Sequence, residues 1–374
     1  MSRRARGPAA GVGAPIYNFS AGPACLPESV MRQARDEFLD FEGTGLSILE
    51  TSHRSAAFSE VVAHTEADLR ALLGLGDDYA VLFLHGGATL QFLMTALNLA
   101  HPDQATAYVE TGHWSRKAVA SAREVRQVEV LADARDNGYS FVPEQSAWKA
   151  VPKEAAYLHY TPNETIDGLE FDFVPEAGDT LLVADMSSTI LTRPLPVERF
   201  DLIYAGAQKN LGPAGLTLVI LRRELAERAG ADVPGQLSYR AHLAAGSLFN
   251  TPPTLTWRMI GLVLAWVREQ GGLEEMERRA RRRARIVYEA IDESGGFYTN
   301  PVQPRSRSRT NIPFMIGDDS LESRFLSEAE GAGLKQLQGH RSKGGLRVSL
   351  YNAMPVTGAG ALADFMRDFA RRYG

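Results

Sequence analysis

Six short apolar runs, bounded by Gly, Asp or Asn, constrain this chain most: YAVLFLHGG, ATAYVETGHW, AAYLHYTPNETIDG, TLLVADMSS, FDLIYAGAQKN and LTLVILRR, all between residues 79 and 223. Runs this short and continuous suit strands buried on both faces. The helical patterns between the early ones (TLQFLMTALNLA after the first, another after TGHW) suggest a largely parallel sheet with helices on both sides. At 374 residues the chain exceeds the roughly 250–300 at which one core divides, so two lobes are expected. ESVMRQARDEFLDFEG reads as a helix entered at Pro27 and stopped at Gly43, and SEVVAHTEADLRALLGL as a second. TLTWRMIGLVLAWVREQGG reads as a long helix packed on the sheet and handing over to the second lobe. Beyond it the pattern changes. LEEMERRARRRARIVYEAI has an apolar stripe with arginines 278, 279, 281, 282, 283 and 285 largely between, a solvated helix face rather than a nucleic-acid surface.

The bulk properties exclude some classes of function. A net charge of -5 gives no reason to expect nucleic acid or an anionic membrane as partner, and no apolar run approaches the ~18 residues needed to span a bilayer. The basic, Gly/Ala/Pro-rich residues 1–15 lack the apolar stretch of a signal peptide and read as a disordered tail; the cytoplasm is the expected compartment. Cys25, the single cysteine, excludes an internal disulfide and a multi-cysteine metal site, and its neighbourhood offers no activating base; no metal is expected.

Four places carry chemistry. HGGAT (85–89) runs from an apolar strand through two glycines into a helix, which offers unpaired N–H donors and a favourable dipole to a phosphate; a plain tight turn is the alternative. Gly358–Ala363 matches G-x-G-x-x-A, but no strand precedes it and the match is accidental. Asp185 ends a buried strand, where a carboxylate needs a positive partner, such as a pyridinium nitrogen, or else caps the following SSTI turn. Lys209 lies in AGAQKNLGPAG between two apolar strands. It is one of six lysines among 40 basic residues, and its setting best suits a depressed ammonium pKa and Schiff-base chemistry; Lys117, Lys149, Lys153, Lys335 and Lys343 lie in more ordinary surroundings. Asp185 and Lys209 end or follow consecutive strands, so they are expected to converge at the carboxyl edge of the sheet. Trp114 is either core or a platform for a planar ring, and Thr165 is placed to hydrogen-bond a ring hydroxyl. His53 and Arg54 (ETSHRS) with His340, Arg341 and Arg347 (GHRSKGGLR) suit a multiply anionic substrate, against the alternative of ordinary surface arginines.

NFSAGPACLP, the SHR segment, HGGATLQF, HYTPNETIDG, VADMSSTILTRP, IYAGAQKNLGPAGLT, FNTPPT, GHR and LRVSLYNAMP resemble, in that order, the phosphoserine aminotransferases, over about residues 16–374. The resemblance implies an α/β fold-type I transferase dependent on pyridoxal 5′-phosphate: a large domain (16–271) with a seven-stranded, mostly parallel sheet, whose first residues pack with a smaller α+β domain (272–374). It implies a homodimer with shared sites. It implies that Lys209 is the Schiff-base lysine, that Asp185 partners the pyridine nitrogen, that Trp114 stacks on the ring, and that Thr165 meets its phenolic oxygen. Ala88, Thr89 and Gln208 would bind the cofactor phosphate, together with Asn250 and Thr251 from the other subunit. His53 and Arg54, also from the other subunit, with His340 and Arg341 would hold the substrate phosphate, and Arg347 the α-carboxylate. Some members carry Arg where this chain has Thr89, which supplies no charge. The implied reaction moves the amino group of glutamate to 3-phosphohydroxypyruvate, with 4-phosphohydroxythreonine of the pyridoxine pathway as a second substrate. Two other enzymes of the fold were weighed. A cysteine desulfurase would have to rely on Cys25, and an alanine–glyoxylate aminotransferase would not need two His-Arg sites. Retained Lys209 and Asp185 argue against a non-catalytic cofactor-binding protein.

Overall fold

A computed structural model describes residues 15–228 and 233–374; the tail expected at the N-terminus falls, but for Pro15, outside them. In chain order the elements are β1 (Tyr17–Asn18), α1 (Glu28–Glu37), α2 (Ala56–Leu73), β2 (Tyr79–His85), α3 (Ala88–Leu99), β3 (Ala105–Glu110), α4 (His113–Arg123), β4 (Gln127–Asp133), β5 (Tyr157–Tyr160), β6 (Leu181–Asp185), β7 (Leu202–Gly206) and β8 (Leu216–Arg222). There follow α5 (Arg223–Arg228), α6 (Tyr239–Ala244), α7 (Thr254–Glu269), α8 (Gly272–Asp292), β9 (Tyr298–Thr299), β10 (Asn311–Ile316), α9 (Glu322–Gly331), β11 (Leu334–Lys335), β12 (Leu346–Ser349) and α10 (Val356–Tyr373).

The six apolar runs supply six strands of one seven-stranded sheet, ordered β2-β8-β7-β6-β5-β3-β4, and only β8 runs antiparallel to its neighbours. Alternation across the pleat explains the unbroken hydrophobicity. Val81 and Phe83 of β2 pack on one side with Phe58 and Leu69 of α2 and Trp257 and Leu264 of α7, whereas Ala80, Leu82 and Leu84 face the other way, among Phe92 of α3 and Val119 of α4. A separate core joins α8, α9 and α10 to β9, β10 and β12 through Val287, Phe314, Phe325, Val348 and Phe369, and Phe19 from the start of the chain enters it. There β1 pairs in parallel with β11.

Three local readings differ. The first helix ends at Glu37, not near Gly43: Phe41 is fully buried in the large core, so the chain turns to insert it, with Phe41 N–H donating to Leu46 O and Gly45 N–H to Asp40 Oδ1. Gly358–Ala363 lies inside α10 and forms no nucleotide loop. In α8, Arg278 and Arg279 pair with Glu275 and Arg281 with Glu277, as a solvated face should, but Arg283 is 1 % exposed and donates to Met354 O.

The two cores meet across a buried polar seam. Asn163 Nδ2 donates to Ser188 Oγ at 2.9 Å and Asn311 Oδ1 at 2.8 Å, while Ser308 Oγ donates to Asn163 Oδ1. Asn311 Nδ2 continues to Ser349 Oγ at 3.0 Å, Tyr351 OH donates to Ala21 O at 2.9 Å, and Asn352 N–H donates to Asn210 Oδ1 at 3.1 Å. Asn210 is the residue after Lys209.

Candidate active site

The carboxyl ends of β2, β3, β5, β6 and β7 lie at one edge of the sheet, and each hands over to a turn bearing an expected site residue. After β2, Gly86 takes φ +99°, a conformation that favours glycine, and Gly87 caps α3 without a side chain. The first N–H groups of α3, from Ala88 and Thr89, therefore start an uncapped helix N-terminus, with open space where a Cβ on Gly87 would lie.

After β6, Asp185 is 5 % exposed, and its Oδ1 accepts from both the N–H (3.0 Å) and the hydroxyl (2.6 Å) of Ser187. The turn-capping role weighed for this carboxylate is thus real, yet it engages one oxygen. Burial raises the Asp185 pKa against the opposing pull of the Lys209 charge. Lys209 follows β7 and is 9 % exposed; its Nζ donates to Thr165 Oγ1 at 2.6 Å. Burial lowers its pKa to about 8, with Asp185 and Glu164 opposing the fall. For both groups burial outweighs attraction, so lysine and carboxylate form an under-solvated pair.

Trp114 opens α4 after β3, and Lys209 Nζ lies 5.7 Å from its ring centroid. Two carboxylates from TPNETIDG fix the start of that helix. Glu164 accepts Trp114 N–H at 2.9 Å and Ser115 N–H at 2.8 Å, and Asp167 Oδ2 accepts His113 N–H at 2.8 Å. A Cβ on Gly112 would stand 2.5 Å from the Glu164 carboxyl carbon, so only glycine admits this capping. Burial, then the charge of Asp167, pushes the Glu164 pKa up to about 7. The buried indole Nε1 of Trp114 has no partner among the described residues.

Arg347, in β12, reaches the same turn, its Nη1 standing 3.5 Å from Thr165 O. His340 and His113 rings lie 5.4 Å apart, and burial, then the charges of Arg347 and Arg341, lower the His340 pKa. Lys209, Asp185, Thr165, Trp114, Arg347, His340 and Arg341 are thus gathered at one edge. Gln208 adjoins Lys209, its side chain folded over Gly206. Among the described residues no hydrogen bond or ion pair joins the side chains of His53, Arg54, Asn250 or Thr251 to this group; Arg54, Asn250 and Thr251 are exposed and His53 is half-buried. Cys25 is half-buried, its thiol pKa pushed up to about 11 by burial, which suits neither a nucleophile nor a persulfide carrier.

Sequence reasoning missed the two carboxylates and the segment Ser20–Ala24. Ala24 N–H donates to Gln208 O at 2.9 Å, and a Cβ on Gly22 would lie 3.4 Å from Gln208 Cγ and 3.7 Å from Lys209 Cγ. Nothing local in SAGPA announces a contact made across some 190 positions of chain; the density of small residues was the only signal. Among the described residues no cluster of His, Cys, Asp and Glu could hold a metal, and no helix is long and apolar enough to cross a membrane.

Residues 16–362 match the family "Aminotransferase class-V". A phosphoserine aminotransferase of Acidithiobacillus ferrooxidans is 52% identical over 359 residues, covering 96% of this chain and 99% of that protein. The solved phosphoserine aminotransferase from Bacillus circulans subsp. alkalophilus superposes with a TM-score of 0.94 at 44% identity, over 96% of this chain and 99% of that one. The pyridoxal-phosphate-bound phosphoserine aminotransferase of Trichomonas vaginalis gives 0.89 at 35% identity, over 94% and 100%.

Proposed function

The chain belongs to the class-V aminotransferases, among the phosphoserine aminotransferases, and from that premise we propose how its residues carry out transamination between L-glutamate and 3-phosphohydroxypyruvate, giving 2-oxoglutarate and O-phospho-L-serine on the route to L-serine. The cofactor is pyridoxal 5′-phosphate. The residues fit it: a buried lysine with a pKa near 8, a buried strand-end carboxylate that feels that lysine's charge, an indole whose Nε1 has no partner among the described residues, and an uncapped helix N-terminus over open space. In this reading Ala88, Thr89 and Gln208 hold the cofactor phosphate, Trp114 covers the ring, Thr165 meets its oxygen and Asp185 its nitrogen. Bound there, the cofactor supplies an aldehyde for the amine and an electron-withdrawing ring for the developing carbanion.

The chain's own part is proton handling and orientation. With its amine free, Lys209 would take the proton from the α-carbon of the amino donor and pass it to the cofactor's former aldehyde carbon. In the second half-reaction it would carry one back from there to the α-carbon of the keto acid, which a pKa near 8 permits in both directions. Asp185, kept from water, stabilises positive charge on the ring nitrogen; Ser187 holds it in place. Arg347 orients the α-carboxylate, and His340 and Arg341 take the substrate's phosphate. His53, Arg54, Asn250 and Thr251 complete the site from a second copy, since they stand apart from it in their own chain. Residues 16–271 form the large unit, its first residues packed with the small unit of 272–374, in a cytoplasmic homodimer. 4-Phosphohydroxy-L-threonine, with the same phosphate and amino-acid ends, is a second substrate.

The observation that carries this reading is the buried Lys209–Asp185 pair. Borohydride reduction of the yellow holoenzyme should fix the cofactor on the peptide containing Lys209, and the protein should turn over 3-phosphohydroxypyruvate with glutamate. Label on any other lysine, or no turnover, ends the proposal.

A further inference from the structure

Lys343 sits in the glycine-rich turn between β11 and β12. Its Nζ lies 2.8 Å from Asp167 Oδ1, an ion pair without the alignment of a hydrogen bond, and 5.1 Å from the ring centroid of Tyr139. Both receiving groups are built in. Asp167 is 4 % exposed, and its other oxygen accepts His113 N–H at the start of α4. Tyr139 is 8 % exposed, and its hydroxyl donates to Glu110 at 3.1 Å.

The turn that carries Lys343 is tightly made. Lys343 and Gly344 N–H both donate to His340 O, at 2.8 and 2.9 Å, and Gly339 N–H donates to Gly345 O at 2.8 Å. Any Cβ on Gly339 would stand 2.1 Å from Gly344 O. His340 and Arg341 therefore move with Lys343 as one unit. The unit meets the large sheet's edge at the Asp167–Tyr139 seat for Lys343 and where the ring of His113 lies against that of His340.

We propose that Lys343 and Asp167 are positioning residues for substrate anion binding: the ion pair moors the 339–345 turn to the first turn of α4, so that His340 and Arg341 are already in place when the anionic substrate arrives. This rests on the reading that His340 and Arg341 receive the substrate phosphate. Asp167 joins the phosphate turn to the helix that presents Trp114, so one carboxylate registers the two halves of the site. In this proposal Lys343 acts through the turn it moors and not by touching the substrate.

Lys343 is exposed enough for its replacement to leave folding intact, so Lys343→Met and Lys343→Arg are the variants to use. In the substrate-free holoenzyme, amide hydrogen exchange across residues 339–345 should quicken in Lys343→Met and stay near wild type in Lys343→Arg. KM for 3-phosphohydroxypyruvate should rise about tenfold in Lys343→Met, the scale of re-ordering a turn and its long side chains on binding, with kcat moving less than about twofold. KM for unphosphorylated hydroxypyruvate should change far less. Unchanged exchange in Lys343→Met overturns the mooring, and a raised KM without faster exchange overturns it too, because Lys343 would then touch the phosphate itself. Faster exchange with unchanged KM overturns the link to binding. Should Arg341→Ala show no preference between phosphorylated and unphosphorylated ketoacid, the underlying site reading fails, and the exchange result still reports on the mooring separately.

Discussion

The Lys209 ammonium donates to the Thr165 hydroxyl at 2.6 Å within a site where burial has already made the charge costly. The neutral amine needed to attack an aldehyde is therefore available around pH 8, far below the usual lysine range. Incorporation of pyridoxal 5′-phosphate into the cofactor-free protein, followed by absorbance, should rise with pH and level off above about 8. Thr165→Val removes an acceptor of the charged form and should move that inflection lower. An inflection near 10.5, the ordinary lysine value, would sink the argument.

Glu164 gives the opposite sign. Its folded pKa of about 7 exceeds the ordinary 4.5, so between those values the folded chain binds more protons than the unfolded one. Stability attributable to this carboxyl is present below pH 4.5 and lost as pH rises through 7, by an amount on the order of 3 kcal/mol. Glu164→Gln cannot titrate. Its denaturation midpoint, compared with wild type across that window, should gain steadily with rising pH, from an offset set at low pH by an amide that can accept only one of two N–H groups. Parallel curves would show that the buried charge carries no such cost.

Arg54 is exposed, and among the described residues no hydrogen bond joins it to Lys209. Two inactive variants, Lys209→Ala and Arg54→Ala, should recover activity when mixed and allowed to exchange subunits if the proposed dimer shares its sites, because each mixed dimer would then contain one site with both residues intact. Proven exchange without recovery would mean that each site draws both residues from a single subunit.

Arg341→Ala tests the substrate's charge. Hydrogen bonds to charged groups contribute roughly 1.5–3 kcal/mol, so efficiency toward 3-phosphohydroxypyruvate should fall about ten- to a hundredfold. Hydroxypyruvate should lose much less, and the glutamate half-reaction, followed by single-turnover absorbance, should fall between the two. Equal losses for both ketoacids would assign Arg341 to the carboxylate or to the fold.

What could be read from the sequence shares one physical character. Lys209 and Asp185 stood out because charge beside a buried apolar run is costly and therefore informative, and the strands themselves were legible because burial on both faces leaves no polar alternation. The mooring of Lys343 on Asp167, the docking of Ser20–Ala24 beside Gln208, and the burial of Arg283 all depend on which distant segments meet, and no local pattern encodes that. The first helix was over-extended for the same reason: its periodicity continues past Glu37, but Phe41 is claimed by a core built mostly from residues far along the chain.

The polar seam bears on how the enzyme can choose its substrate. Swinging the small unit away from the sheet would part Asn163 from Asn311 and Ser308, and Asn210 from Asn352, all in a place that water does not reach. Each of these bonds exchanged for water would cost about 0.5–1.5 kcal/mol, so together they oppose a wide clamshell motion. The seam thus favours a standing vault as the place where ketoacids are told apart. Inhibitors rigid enough to match that vault need carry no allowance for a moving wall.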